Sequence, residues 1–142
     1  MSVKSPTTKV TDLTYYEETG ILFSQFTDGG AAAGTYQVQF ELPVGFFVER
    51  TQLANITGFA GDTSAAITVG DGSDGDRYNT GTPSVFATLS RLDLGIASGT
   101  RFIATANRPT ITVTSNADFT SVSAGGFDIR VYGWVVDRKS VV

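Results

Sequence analysis

The chain contains neither cysteine nor histidine. Without thiols there is no disulfide framework, no thiolate nucleophile and no Cys/His zinc site. Without imidazole, no side chain has an ordinary pKa near neutrality. Lysine is also scarce: the three residues are Lys4, Lys9 and Lys139, all close to the ends. A serine nucleophile would have to borrow one of them as its base. No pair of carboxylates stands out from turns and solvent faces as glycoside hydrolysis would need. Charge of either sign is thin, with 10 Lys+Arg against 14 Asp+Glu in 142 residues and a net charge of −4. Counterion release on nucleic acid requires clustered Lys and Arg, so no nucleic-acid partner is expected. No run approaches the ~20 apolar residues of a membrane helix, so no membrane partner is expected. Met1-Ser2-Val3-Lys4-Ser5-Pro6 has no apolar block behind its lysine. It does not read as a signal peptide, and an intracellular product is expected. The combined expectation is a protein that is not an enzyme, with no cofactor and no resident metal.

What is present suits strands. Thr (20), Val (14), Ile (7) and Phe (10) outweigh Leu (7), Glu (4) and Lys (3), and the former favour a pleated, half-buried surface. The 16 glycines are spread along the chain, as turns between strands require. One core commonly serves a chain of this length. The expected fold is all-β: a single-domain antiparallel β-sandwich, jelly-roll-like, with an extended N-terminal arm.

Residues 1–19 read as that arm, 20–138 as the sandwich and 139–142 as a C-terminal tail. Val10, Leu13, Tyr15 and Tyr16 are the arm's apolar anchors, expected to dock onto a neighbour. Within the sandwich, strands are expected over Ile21–Phe26, Thr35–Leu42, Phe46–Phe59, Ala65–Gly70, Ser84–Leu94, Arg101–Ala106, Pro109–Thr114 and Gly126–Asp137. The last places Phe127, Ile129, Val131 and Gly133 on one face and Asp128, Arg130, Tyr132 and Trp134 on the other. Tyr132 and Trp134 therefore need a cover of their own, either the docked arm or a second subunit.

Three motifs have dull readings that prevail. Gly70-Asp71-Gly72-Ser73-Asp74-Gly75 matches G-x-G-x-x-G, but no helical period follows and its aspartates would repel phosphate. Asp71, Asp74 and Asp76 have oxygen ligands for calcium, yet not at EF-hand spacing, and an exposed acidic turn is the plainer reading. Asn55-Ile56-Thr57 fits a glycosylation sequon inside an expected strand.

A succession of short motifs resembles a known family. It runs from the turn Leu42-Pro43-Val44-Gly45 through Ile67-Thr68-Val69-Gly70-Asp71 and Asp76-Arg77-Tyr78 to the closing strand Gly126-Phe127-Asp128-Ile129-Arg130-Val131-Tyr132-Gly133-Trp134. Over roughly residues 35–137 this is similar to the head decoration (auxiliary capsid) proteins of tailed bacteriophages. The resemblance implies a homotrimer that binds the major capsid protein on the outside of the expanded head and reinforces it. It also implies a virion protein made in the host cytoplasm, with no catalytic residues. The rival readings are a phage tail or fibre component and a carbohydrate-binding jelly-roll module. The latter would stack sugars on Tyr15, Tyr16, Tyr36, Tyr78 or Trp134.

Overall fold

The computed structural model describes residues 13–96 and 101–135. Eight strands run through them: β1 (Thr14–Leu22), β2 (Thr27–Asp28), β3 (Ala33–Gln37), β4 (Phe46–Ala60), β5 (Ala65–Gly70), β6 (Leu89–Ile96), β7 (Thr110–Ser115) and β8 (Ala124–Val135). They form two four-stranded antiparallel sheets, ordered β1-β8-β4-β6 and β2-β3-β7-β5. From β3 onward the chain crosses from one sheet to the other at every step, and the first and last strands lie side by side. This is the order of a jelly roll.

The core follows from the period-2 pattern of the longest strands. On β8, Phe127, Ile129 and Val131 are buried while Asp128, Arg130, Tyr132 and Trp134 face outward. On β4, Phe46, Val48, Leu53, Ile56 and Phe59 point into the same interior. Ile67 and Val69 of β5 and Ile111 and Val113 of β7 fill the opposite layer. Gly133 lets the backbones close: a Cβ there would lie 2.0 Å from the Phe47 carbonyl oxygen.

Three expected elements differ. Ser84–Thr88 does not join β6; the segment rides between the sheets, with Val85 N–H donating to Ala65 O and Val85 O accepting from Phe59 N–H. Arg101–Ala106 does not hairpin with Pro109–Thr114; it lies beside the start of β4, where Ile103 N–H donates to Phe46 O. Ladder pairing of β3 stops at Gln37, although Val38 and Leu42 keep their inward places. In each case alternating side chains follow from one buried face, and that face is met without a continuous ladder.

The last side of the second sheet is sealed by an irregular segment. Tyr78 N–H donates to Val69 O, Ile67 N–H to Pro83 O, and the Asn79 amide oxygen accepts from Val69 N–H. The segment from Tyr78 to Val85 thus stands where an eighth full-length strand would, and it closes the edge of β5.

Candidate interaction surface

The arm expected over residues 1–19 divides in the structure. Residues 14–19 belong to β1, which pairs with β8 in the register Thr14↔Gly133 to Glu18↔Ile129. Tyr16 is corrected from a docking group to a packing group: its ring meets Phe46 at 5.2 Å and Phe40 at 6.0 Å, inside its own sandwich. Glu18 also turns inward, accepting from the Tyr36 hydroxyl and from Gln39 N–H. Desolvation, together with that acceptor, raises the Tyr36 pKa. Leu13 and Tyr15 are exposed, and Val10 lies outside the described residues.

The outward face of β1, β8 and β4 carries stacked aromatic and arginine side chains. Tyr15 and Tyr132 sit 5.4 Å apart between centroids, directly opposite in register. The Arg130 guanidinium covers the Tyr15 ring at 4.6 Å, and that of Arg50 covers Tyr132 at 4.9 Å. Phe47 and Trp134 stack at 5.3 Å, with Arg101 over Phe47 at 5.3 Å. Arg130 Nε also pairs with Glu17 at 2.7 Å, and its Nη1 donates to the Tyr132 hydroxyl. Both contacts favour the charged guanidinium and hold its pKa up. Each guanidinium is attracted to the negative face of the ring it covers.

The expected cover for Tyr132 and Trp134 is therefore supplied by the chain itself. Their faces are taken by Tyr15, Phe47 and guanidinium groups. Of the other rings a sugar platform would use, Tyr78 is fully buried, and Tyr16 and Tyr36 pack against the core. Sequence reasoning placed Arg130 on this face without a role and missed Phe47, Arg50, Arg101 and Glu17. The i, i+2 spacing of Arg130, Tyr132 and Trp134 is the one signal that marks this face, because their partners come from other strands.

Below the stack, the face opens into a trough of about 340 Å³ lined in part by Gly20, Leu22, Thr57, Gly126 and Asp128. Glycine at 126 leaves the floor low. Asp128 is already engaged, accepting from Gly20 N–H and from the Asn55 side-chain amide, both at 2.8 Å. It ties together the irregular stretches of β1 and β4 on either side of it.

The acidic loop is a self-bonded turn. Asp71 accepts from Asp74 N–H at 2.9 Å, from Ser73 N–H and from the Ser73 hydroxyl, and pairs with Arg77. After Gly75 the chain passes through turns into buried Tyr78, with no helix to receive a phosphate. Among the described residues no three acidic side chains converge on a metal position.

Burial raises the Asp71 pKa, but hydrogen bonds from Asp74 and Ser73 and the Arg77 charge outweigh it and hold the carboxyl below its ordinary range. Backbone donors at Ala117 and Thr63 lower Asp62 in the same way. Asp76 moves up, through its hydrogen bond with Asp74. A depressed carboxyl contributes stability above its unfolded pKa, and that stability is lost as pH falls through the folded value. Melting temperature is therefore expected to drop as pH falls below about 4, where unfolded aspartate titrates. Asp76 opposes the trend in part. Thermal melts of Asp71→Asn should show a lower melting temperature at neutral pH and a flatter acid limb; an unchanged limb would show that Asp71 does not carry the acid sensitivity.

No family model and no curated protein matches the chain. Among solved structures it is similar to a chain of the cyanophage Pam1 capsid asymmetric unit. The TM-score is 0.50 and the identity 17%, with 95% of this chain and 92% of that chain covered. At that identity the likeness is one of fold.

Proposed function

We propose that this protein is a capsid decoration protein of a tailed bacteriophage, which binds the outside of the expanded head and stabilises it. The observation that carries the reading is the end-to-end likeness of fold to a chain from a phage capsid. The surface chemistry supports it. The outward aromatic rings are stacked upon one another and upon arginines, which builds a stiff outer face rather than an open platform for sugars.

A ligand that binds only the assembled shell stabilises it by mass action, by about 2.7 kcal/mol per site at a hundredfold excess over Kd. Many copies multiply that gain, so a modest interface on each suffices. With so little charge, attachment rests on apolar and hydrogen-bonded contacts and survives moderate salt. Mixing the purified protein with undecorated, expanded capsids should give saturable occupancy and a higher capsid melting temperature. Absence of binding would overturn the reading. Occupancy without thermal gain would reduce it to a passive coat.

A further inference from the structure

The trough on the outer face lies at the far end of the sandwich from where the described residues break off. Thr14 pairs with Gly133, Val135 with Phe46 and Ile96 with Arg50, and Arg101 lies beside Val48, all at one end. The trough surrounds Gly126. From Gly133 that is seven residues along β8, or about 23 Å at the rise of a strand.

The trough is apolar in the middle and acidic around it. Leu22 stands 52% exposed on its wall, with Phe23 beside it. Asp128 lies at its margin, and Asp62 and Asp118 hold the turn that leads into Ser123 and Ala124 of its wall. These three carboxylates accept from neutral donors, and among the described residues none of them is in an ion pair. The cations on the neighbouring rows are directed elsewhere, Arg91 to Gln52 and Arg130 to Glu17. This end therefore presents apolar surface beside negative charge that no cation offsets.

We propose that the trough receives residues 1–12 of a neighbouring copy of the chain. That segment carries Lys4 and Lys9 against the single acid Asp12, with Met1, Val3 and Val10 as its apolar members. It is the complement of the trough: cations for the acidic margin, apolar side chains for the floor that Gly126 leaves low. Reach favours it over the other end of the chain. Twelve extended residues span up to about 40 Å, enough to pass from Thr14 of one copy to the trough of the next. Residues 136–142 span only about 25 Å, little more than the distance to the trough of their own copy. A second copy presenting the same face would set acid against acid. An arm laid into the next copy's trough is a heterologous contact, which closes into a ring when the rotation allows. Three copies is the ring that the family resemblance implies, and to that extent the inference rests on the decoration reading.

The test uses the intact chain. Sedimentation equilibrium across micromolar concentrations should approach about 45 kDa, three times the 15.0 kDa of one chain. A chain with Lys4→Glu and Lys9→Glu keeps its trough and loses its arm. Thr57→Arg keeps the arm and puts a cation into the trough, at an exposed position. Each variant alone should associate about tenfold more weakly or worse. Mixed, the two should form a species of two chains, because one intact arm meets one intact trough. Melting temperatures equal to the parent's establish that both variants fold; Leu22→Arg, also at an exposed position, replaces Thr57→Arg if the latter melts early. A parent mass fixed at 15.0 kDa, three-chain assembly retained by either variant, or no two-chain species on mixing would each overturn the proposal. None of these readouts needs a capsid, so a parent that assembles in this way yet leaves shells bare overturns the decoration reading alone.

Discussion

Gly133→Ala is expected to cost about 3 kcal/mol or more, near the top of the range for overpacked sites. The added methyl would lie 2.0 Å from the Phe47 carbonyl oxygen and 2.8 Å from the Phe46 ring. The first contact is backbone, so no side-chain rotation relieves it. Gly133 also sits opposite Val48, near the start of β4 in the β4–β8 ladder, with Thr14 of β1 on its other side. Neither neighbour can retreat without breaking sheet hydrogen bonds. The loss should appear as a fall in melting temperature of roughly 10 °C. Gly75→Ala is the control: no heavy atom lies within 4 Å of its added methyl, and its φ is not left-handed. It should stay within about 0.5 kcal/mol of the parent. Equal melting temperatures for the two variants would show that β8 and β4 separate more readily than this packing implies. The stacked Phe47–Trp134 pair sits beside this glycine, so the same variant should also disturb tryptophan fluorescence.

Asn79→Ala should have the second-largest effect, with two consequences that can be read separately. Asn79 is fully buried; its amide oxygen accepts from Val69 N–H at 2.8 Å and its amide nitrogen donates to Gly81 O at 2.9 Å. Alanine leaves the Val69 N–H without a partner, at a cost of about 1–3 kcal/mol. It also loosens the segment that closes the β5 edge. An opened edge invites strand addition from other molecules. Urea titration should therefore show a lower midpoint, and light scattering near the transition should rise well above that of the parent. A lower midpoint without added scattering would show that Tyr78, held by its own bond to Val69 O, keeps the edge closed alone. An unchanged midpoint would show that Asn79 is dispensable.

The strands that could be read from sequence are those whose two faces differ. Phe46–Ala60, Ala65–Gly70 and Ala124–Val135 lie within two residues of their expected bounds. In the expected strands over Ser84–Leu94 and Arg101–Ala106, a buried alternating face does not bring a full ladder with it. Val85 and Ile103 are as buried as strand residues, yet they hydrogen-bond to neighbouring strands only at single points. The part of the expected arm within the described residues, 14–19, joined the sheet for a related reason. The adjacent acids Glu17 and Glu18 diverge to opposite faces of β1, one to Arg130 and the other to Tyr36 and Gln39.

The amino-acid order by itself determined that this chain is a β-sandwich with no thiol or imidazole chemistry, because composition and period-2 alternation are local properties of the chain. The tertiary structure alone decided which rings stack and which carboxylates are engaged. Those outcomes depend on pairings such as Gly20 with Asp128, 108 residues apart, and Arg130 with Glu17, 113 apart. A side chain's spacing states which face it takes; only the register of the strand laid beside it states what it meets there.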